Sequence, residues 1–428
     1  MAMAGDARRR LGAAVAAVGM VAVLVGHGPA RATPPGPVNG RIACAREFGG
    51  GGPGAMEVVT MDADGANVQR LTTNSVWDFD PIWTPDGREI VFESFREGGV
   101  SELYRMNSNG SGVTRLTSNG APEDRPGGYH PDGSQLVFHT ARDGNFEVYK
   151  MNTNGSDPVN LTNNPAFDAL PTWSPDGTWI VFSSDRGSTA GALDVRRMDS
   201  FGGDPGRLSR NPVAEDAAGD VSPDGTRIVF HTTRDTPFGA PPSYDVNVMN
   251  ADGSGKVRLT DAPGDDLFPV WSPDGTRIVF DSHRDGDREI YVMDADGSNQ
   301  QRITFNPGFD GHCTWQRPCT VSGNGVIQGT EGDDVICGSP RGDRIEGLGG
   351  NDQLLGFGGD DQLYGGPGDD ALFGGTGNDV LFGGEGTDFS SGGPGDDRIV
   401  ADTGERVDPG AGTDQCARSG VACPPRLS

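Results

Sequence analysis

The sequence predicts an all-β protein, a six-bladed β-propeller followed by a C-terminal parallel β-roll. Three observations support this: a composition rich in turn residues, a long internal repeat, and a short one near the C-terminal end. Glycine and proline supply 69 and 31 of 428 residues, only 34% are hydrophobic, and mean hydropathy is −0.47. Such a composition favours many short strands joined by turns, and it disfavours a helical bundle or a membrane transporter.

Residues 1–32 have the organisation of a secretory signal peptide. Arg8, Arg9 and Arg10 precede an apolar run from Leu11 to Val25, and Ala30-Arg31-Ala32 has the small-x-small pattern of a cleavage site. The apolar run is shorter than the roughly 20 residues that span a bilayer. We therefore expect an exported chain, secreted or extracellular, with surface attachment left open and no membrane span.

The net charge indicates which kinds of partner the chain can bind, and the cysteine content indicates whether it forms disulfides. The formal net charge is −27, which disfavours nucleic acid and anionic membranes and favours divalent cations. An even number of cysteines in an exported chain indicates disulfides, because no CxxC spacing is present. The six are Cys44, Cys313, Cys319, Cys337, Cys416 and Cys423.

A unit of 44 to 50 residues recurs between about residues 38 and 316. Each unit contains a Pro-Asp-Gly turn, an apolar strand such as Ile278 to Phe280, an alternating strand such as Glu289 to Met293, and a second polar turn. Four short strands per unit at this period predict a propeller blade, and six units predict six blades. The chain enters at a second strand and leaves at a first strand, so blade one is built from both ends and closes the ring.

The unit from Asp266 to Thr304 carries this pattern almost throughout, with D-x-x-P-x-W-S-P-D-G followed by I-V-F-x-S-x-R-D-G and E-I-Y-V-M-D-A-D-G-S. It resembles the TolB-like, PD40-type propellers. Blade five departs most, with Gly219 and Val221 in place of proline and tryptophan. The resemblance implies a binding module, or a domain that gates a peptidase. No GxSxG motif occurs in the chain, so the peptidase role lacks support.

A second repeat, strictly nine residues long, begins at Gly329 and runs for eight units. The clearest unit is Gly374 to Phe382, which matches G-G-x-G-x-D-x-U-x. This pattern resembles the RTX, or haemolysin-type, calcium-binding repeat. The resemblance implies a calcium-loaded β-roll over residues 320–408, with residues 409–428 as a C-terminal cap.

Each nonapeptide has an aspartate at position six, and units two apart should stack with these carboxylates roughly 4.8 Å apart. Carboxylates this close need a cation between them, and calcium suits them because it takes six to eight oxygen ligands. Arg341 at a glycine position and Ser390 at an apolar position weaken Asp343 and Asp388 as ligands. The sequence thus predicts several calcium ions, held by Asp334, Asp343, Asp352, Asp361, Asp370, Asp379, Asp388 and Asp397.

The propeller has two aligned polar sets of its own. One is an aspartate at the start of each first strand, which forms either a carboxylate ring at a channel mouth or a set of turn caps: Asp78, Asp124, Asp168, Asp216, Asp266 and Asp310. The other follows each apolar second strand and could bind a transition metal: Glu93, His139, Ser183, His231 and Asp281. The second set lies in different blades, on strands expected to sit away from the axis, which disfavours an active site.

Alignment of the units also suggests disulfide pairs. Cys44 matches Phe92 and Cys313 matches Pro81, positions that lie opposite or diagonally across an antiparallel pair. The pair Cys44–Cys313 would therefore lock the ring. Cys319 and Cys337, one coil of the roll apart, form a second candidate pair, and Cys416 with Cys423 forms a third.

The sequence as a whole favours an exported, non-catalytic calcium-binding protein whose propeller binds a protein, a peptide or a cell-surface glycan. The alternative is an extracellular enzyme, a polysaccharide lyase or hydrolase, with its site in the propeller. A requirement for His139 or His231 in any activity would favour the enzyme.

Overall fold

A computed structural model of the protein describes residues 39–49, 54–120, 123–188, 191–203, 205–210, 214–235, 243–317, 319–401 and 405–418. These residues form 36 β-strands. Within them there is no helix long and apolar enough to cross a membrane. The predicted signal peptide and Cys423 lie outside the described residues.

The first 24 strands form six four-stranded antiparallel sheets, one for each blade. The first strands of the blades are β4 (Asp78–Trp83), β8 (Asp124–Tyr129), β12 (Asp168–Trp173), β16 (Asp216–Val221), β20 (Asp266–Trp271) and β24 (Asp310–Trp315). The second strands are β5 (Glu89–Ser94), β9 (Gln135–Thr140), β13 (Trp179–Ser184), β17 (Arg227–Thr232), β21 (Arg277–Ser282) and β1 (Ile42–Phe48).

The two outer strands of each blade complete its sheet. The third strands are β6 (Glu102–Asn107), β10 (Glu147–Asn152), β14 (Asp194–Asp199), β18 (Asp245–Asn250), β22 (Glu289–Asp294) and β2 (Ala55–Met61). The fourth strands are β7 (Thr114–Arg115), β11 (Val159–Asn160), β15 (Gly206–Arg207), β19 (Val257–Arg258), β23 (Gln301–Arg302) and β3 (Gln69–Arg70). The prediction of a six-bladed propeller is confirmed.

Blade one closes the ring as predicted, because β24 pairs with β1 across the two ends of the propeller sequence. The Cys44–Cys313 disulfide joins these two strands, with Cα atoms 4.2 Å apart. The two cysteines lie where the register shifts between Ala43 and Ala45. The covalent link therefore stands beside the hydrogen bonds that hold the first and last strands together.

The core of the propeller lies between neighbouring blades. The apolar run of each second strand is fully buried, as at Ile90, Val91 and Phe92, and so is the methionine of each third strand, as at Met106. A strand covered on both faces reads as a continuous apolar run, which explains the recurring Ile-Val-Phe. Full burial of one such side chain stabilises the fold by about 1.5–3 kcal/mol.

The C-terminal strands form two parallel six-stranded sheets that alternate along the chain. The first sheet contains β25 (Val321–Ser322), β27 (Val335–Cys337), β29 (Gln353–Leu355), β31 (Ala371–Phe373), β33 (Phe389–Ser391) and β35 (Arg406–Asp408). The second contains β26 (Val326–Gln328), β28 (Arg344–Glu346), β30 (Gln362–Pro367), β32 (Val380–Glu385), β34 (Arg398–Ala401) and β36 (Gln415–Arg418). This is the predicted β-roll, and its last strand lies in the segment expected to be a cap.

The roll has one thin apolar layer between its two sheets. Residues 18 apart pair in register, as Ile345 does with Leu363 and Leu363 with Leu381. These side chains are fully buried. The predicted Cys319–Cys337 disulfide is present and ties the start of the roll to its first coil.

The roll packs against the end of the propeller that carries the Pro-Asp-Gly turns, which we call the turn face. The guanidinium of Arg406 pairs with the Asp176 carboxylate at 2.8 Å. Phe357 lies against Gly133, where an added Cβ would come 3.0 Å from the phenyl ring. The opposite end, where each first strand begins, is the entry face.

Candidate calcium sites and the entry face of the propeller

The position-six aspartates of the roll form two ladders. The backbone N–H of Asp334 donates to Asp352 Oδ1 at 2.8 Å, and that of Asp352 donates to Asp370 Oδ1 at the same distance. The second ladder runs through Asp343, Asp361, Asp379 and Asp397 with hydrogen bonds of 2.7–2.8 Å. Each coil thus fixes the orientation of the carboxylate in the next.

The second carboxylate oxygen has a different environment. Oδ2 is buried and has no hydrogen-bond donor in Asp352, Asp361, Asp370, Asp379 and Asp397. Burial raises the pKa of Asp361 to about 8, and neighbouring carboxylates add to the shift. The same causes raise the pKa of Asp352 to about 7. Buried oxygens of this kind need either a proton or a cation.

Glycine at position one of the repeat makes room for these oxygens. A Cβ added at Gly347 would overlap both Asp352 Oδ2 and the carbonyl oxygen of Gly365. The same overlap, with the repeat's own aspartate and a carbonyl one coil later, recurs at Gly356. A carboxylate oxygen and a backbone carbonyl oxygen therefore converge beside each of these glycines.

The first two repeats differ from the later ones. Thr330 donates to Asp334 Oδ2 from its backbone N–H at 2.6 Å and from its hydroxyl at 2.8 Å. Ser339 does the same for Asp343 at the same distances. Because both oxygens already accept donors from the chain, Asp334 and Asp343 have less need of a cation than the later aspartates.

This donor set fits calcium, which prefers carboxylate and carbonyl oxygens. In the described residues no three His, Cys, Asp or Glu side chains converge as a metal cluster, so an ion in the roll must take carbonyl oxygens as well. The residues that would hold calcium are Asp352, Asp361, Asp370, Asp379 and Asp397. Asp388 belongs to the first ladder, the one that contains Asp352 and Asp370, since its Oδ1 accepts from the Asp370 backbone N–H at 2.9 Å.

One ladder residue was missed by the sequence analysis. Asp414 accepts a 3.0 Å hydrogen bond from the backbone N–H of Asp397 and so continues the second ladder. It follows Asp397 by 17 residues, whereas the other steps are 18. A search for a strict period of nine therefore stops before it.

The aspartates that begin the first strands do not form a carboxylate ring at the channel mouth, and that expectation is corrected. All six are fully buried. Asp168 pairs with Arg186 at 2.7 Å and accepts from the Asn164 side chain at 2.6 Å, both in its own blade region. The set Asp78, Asp124, Asp168, Asp216, Asp266 and Asp310 pairs with Arg96, Arg142, Arg186, Arg234, Arg284 and Arg46 respectively. The alternative, a structural role at the turns, fits these contacts.

The second aligned set lies at the entry face, and the structure brings two of its members together. His139 and His231, from blades three and five, line one cavity of about 310 Å³. Burial, together with the nearby charge of Arg125 or Arg288 respectively, lowers the pKa of each imidazole to about 3. The expectation that distance from the axis would separate these residues is wrong for this pair.

Glu93 and Asp281 belong to an adjacent charged network. The Arg125 guanidinium contacts Asp80 at 2.7 Å and Glu93 at 3.5 Å. The Asp80 carboxylate also pairs with His312, whose backbone N–H donates to Asp281 at 3.0 Å. Although burial opposes it, the charges of Arg125 and His312 hold the pKa of Asp80 well below its usual value.

The sequence analysis also missed a set of first-strand residues with left-handed backbone, two of which, Asp80 and His312, belong to this network. Asp80, Leu170, Phe268 and His312 occupy one position of the first strand and have φ of 48°, 53°, 50° and 56°. Each lies at the register shift of its strand. Left-handed backbone at non-glycine residues is costly and concentrates at functional sites. The recurring proline after three of them is the only hint in the sequence.

The channel has a second cavity at the turn face, of about 230 Å³. Its wall includes Gln353 and Leu355 of the roll, so the roll lies over this end of the channel. Asp220 lies in blade five, whose sequence departs most from the repeat pattern. It accepts a hydrogen bond from the Trp271 backbone N–H at 3.0 Å, and burial raises its pKa to about 6. The nearby Arg317 donates to Gln353 Oε1 at 3.0 Å.

Family comparisons agree with both halves of this architecture. The TolB β-propeller domain matches residues 121–241 and 217–327. The RTX calcium-binding nonapeptide repeat matches residues 320–340, 338–372 and 364–399. The chain joins a TolB-type β-propeller to RTX calcium-binding repeats.

Relatives share the TolB-type propeller over limited lengths. The Tol-Pal system protein TolB of Anaeromyxobacter sp. (strain K) is 44% identical over 64 residues, 15% of this chain and 14% of that protein. TolB of Desulfosudis oleivorans is 38% identical over 65 residues, again 15% of this chain and 14% of that protein. The chain therefore spans only a small part of these relatives.

Solved structures support the fold. TolB from Acinetobacter baumannii has a TM-score of 0.56 at 25% identity, over 65% of this chain and 66% of its own. Kuenenia stuttgartiensis hydrazine synthase has a TM-score of 0.54 at 17% identity, over 66% of this chain and 47% of its own. The second likeness is one of fold alone.

Proposed function

We propose that this protein is an exported, non-catalytic binding protein whose RTX tail folds when it takes up calcium. The observation that carries the proposal is the row of buried, donor-free Oδ2 oxygens in Asp352, Asp361, Asp370, Asp379 and Asp397. The disulfides Cys44–Cys313 and Cys319–Cys337 accord with export.

Folding of the tail and calcium binding form one equilibrium in this proposal. The roll has a thin apolar layer between its sheets and a second small buried cluster around Leu355 and Phe373, whereas ordering each residue costs about 1–2 kcal/mol of conformational entropy. Cation binding contributes what the core does not supply. Extracellular calcium modules commonly bind at roughly 10⁻⁴–10⁻³ M, so the tail would stay unfolded in a calcium-poor compartment and fold outside the cell.

The propeller serves as the ligand-binding module, for a protein, peptide or cell-surface glycan. The TolB likeness supports a binding role, since the relatives are named as proteins of the Tol-Pal system. The entry face supports it further, because it combines the charged network of Asp80 and Arg125 with a cavity. The net charge of −27 disfavours nucleic acid as the partner, because both would be negatively charged.

An extracellular polysaccharide lyase or hydrolase remains the second candidate, favoured by one observation. His139 and His231 line the same cavity, and paired histidines can serve acid–base chemistry. A pKa of about 3 leaves both imidazoles neutral and only weakly basic at pH 7, so neither suits the role of general acid or general base. We therefore favour binding.

Calorimetric titration of the full-length protein with calcium tests the proposal. We expect uptake of several ions at submillimolar to millimolar calcium, reversed by chelator. A D361N/D379N variant should take up fewer ions. Equal uptake by wild type and variant would contradict the assignment of these aspartates, and turnover of a polysaccharide that requires His139 or His231 would support the enzyme instead.

A further inference from the structure

A rim of aromatic and acidic residues surrounds the entry face. The residue before the buried aspartate of each first strand is aromatic in three blades and acidic in the other three. Around the ring these residues are Phe309, Trp77, Glu123, Phe167, Glu215 and Asp265. Trp77 is 48% exposed and Phe167 38% exposed. Large exposed aromatic side chains beside carboxylates mark a surface built for contact rather than for solubility.

The cavity of about 310 Å³ opens within this rim, between blades three and five. Its apolar walls come from Phe146, Phe167, Tyr244 and Phe268, and the acidic residues Glu123 and Glu215 also line it. Phe146 and Phe167 lie with ring centroids 5.1 Å apart. Aromatic faces with carboxylates beside them are the surroundings that a cation prefers.

A buried acceptor at the cavity wall gives an independent indication. His231 is 5% exposed, and its Nδ1 has no hydrogen-bond partner. The ring packs between Tyr244 and Phe268, with centroids 5.4 and 5.3 Å away. Because burial keeps this imidazole neutral, one ring nitrogen can accept a hydrogen bond. An unpaired buried nitrogen in a residue that lines a cavity calls for a hydrogen-bond partner from a ligand.

The positive charges beside the cavity, among the described residues, are already paired with carboxylates. The Arg288 guanidinium, which lies 5.6 Å from the centroid of the Phe268 ring, is 3.6 Å from the Asp281 carboxylate. Arg125 pairs with Asp80 at 2.7 Å, and Glu93 and Glu123 lie 3.5 and 3.8 Å from its guanidinium. His139 uses Nδ1 to accept the Leu170 backbone N–H at 3.4 Å. Glu123 lies 3.8 Å from Arg125 and Glu215 accepts from the Tyr244 hydroxyl, but each carboxylate keeps lone pairs that can accept further hydrogen bonds.

We propose that this cavity binds a basic side chain, the ammonium of lysine or the guanidinium of arginine, carried by a peptide segment of a partner protein. The inference rests on the proposed function of the propeller as a binding module, and it names the chemistry that the module selects. The cation would lie against the exposed ring of Phe167 and donate to Glu123 or Glu215. The acidic chain as a whole would attract such a segment over distance.

Ligand-observed NMR with the calcium-loaded full-length protein tests this proposal. The probes are acetyl-Gly-Lys-Gly-amide and the matched tripeptide with norleucine, which keeps the aliphatic stem and lacks the ammonium. We expect the lysine tripeptide to bind at least tenfold more tightly than the norleucine tripeptide. Substitution E123Q/E215Q should weaken the lysine tripeptide at least tenfold, and F167A should weaken it severalfold.

The chain offers a charge-matched control. D252N/D296N removes two carboxylates from exposed turns that follow third strands, at the other end of the blades. It should leave the affinity for the lysine tripeptide within twofold, whereas equal weakening by both double variants would reduce the effect to net charge and overturn the proposal.

The remaining outcomes separate this inference from the proposed function. Equal binding of both tripeptides, lost in F167A, would overturn the preference for a cation while leaving the propeller a binding module. Absence of binding by either tripeptide would overturn the cavity's assignment alone, since the proposed function also admits a glycan.

Discussion

The backbone N–H of Asp343 donates a 2.7 Å hydrogen bond to Oδ1 of Asp361, one coil further along the roll. The other oxygen of Asp361 is buried and receives no donor. One carboxylate therefore does two things: it holds the backbone of the preceding coil, and it presents a charge that the chain itself does not neutralise. The calcium account of this protein rests on that division.

Substitution D361N should separate the two roles. Asparagine keeps an oxygen that can accept the Asp343 N–H, but it removes the negative charge that attracts a cation. We expect the calcium concentration at half-folding of the roll to rise at least about tenfold. Calcium titration followed by circular dichroism measures this midpoint.

Asp360 provides the control for that experiment. It stands at position five, is exposed, and accepts a 2.9 Å hydrogen bond from the Asn378 backbone N–H. The chain already has asparagine at this position in Asn351 and Asn378, so D360N should shift the midpoint less than threefold. A larger shift in D360N than in D361N would show that position six does not carry the binding.

The roll was predictable from sequence because its period is strict and local. Each repeat places its aspartate and its apolar residue by turn geometry alone, so stacking follows from counting. Thr330 and Ser339 were not predicted to cap their own aspartates, because position two is Leu348, Phe357 or glycine in the later repeats and so carries no hydroxyl there. Asp414 was missed because one residue is deleted before it, and only the observed pairing restores the register.

Ser390 should be a weak point of the roll core. It stacks between Leu372 and Val407, is 1% exposed, and its Oγ has no hydrogen-bond partner. A buried hydroxyl without a partner costs about 1–3 kcal/mol. We therefore expect S390V to stabilise the calcium-loaded roll by about 1–2 kcal/mol, measured by thermal unfolding.

Threonine at the same position separates shape from polarity. S390T has nearly the shape of S390V but keeps the hydroxyl, so it should gain less. Equal stabilisation by the two variants would show that volume, and not the unpaired hydroxyl, limits the core.

Removal of the Cys44–Cys313 disulfide should weaken the propeller in particular. The link closes a loop with a sequence separation of 269 residues, and loss of such a link typically costs about 2–5 kcal/mol. All six tryptophans lie between Trp77 and Trp315, so their fluorescence during denaturation reports on the propeller. The variant C44A/C313A should unfold at lower denaturant, whereas C319A/C337A should leave the fluorescence midpoint close to that of wild type.

His139 and His231 should make the propeller sensitive to acid. Each has a folded-state pKa of about 3, against 6.5 as the ordinary value. The unfolded chain therefore binds more protons between these limits, and stability falls as the pH drops below about 6.5, by up to about 1.4 kcal/mol per pH unit for each histidine. At pH 5 the loss of unfolding free energy reaches about 2 kcal/mol for each of the two histidines.

Glutamine variants test this pH dependence. H139Q and H231Q should each flatten the fall in denaturation free energy between pH 7 and pH 5, because glutamine binds no proton. The difference from wild type at each pH removes the contribution of carboxylates common to both proteins. Parallel pH profiles for wild type and both variants would contradict a neutral, buried state of these histidines.

The propeller's fold was predictable, whereas its surface chemistry was not. The alternation of polar and apolar residues and the positions of the turns predict the strands of each blade. The number of repeated units predicts the six-bladed ring. Which side chains meet at the entry face depends on blades far apart in sequence, as Asp80 and His312 show. The aligned aspartates could be read either as a ring or as turn partners, and only the contacts with arginines such as Arg186 distinguish the two.

The central claim is that calcium folds the RTX tail, and hydrogen–deuterium exchange of the full-length protein with and without calcium tests it most directly. In excess chelator, backbone amides of residues 326–401 should exchange within seconds, while strands such as β5 and β13 stay protected. Millimolar calcium should protect the roll amides, reversibly and over a narrow concentration range. Roll amides equally protected in chelator and in calcium would contradict the account.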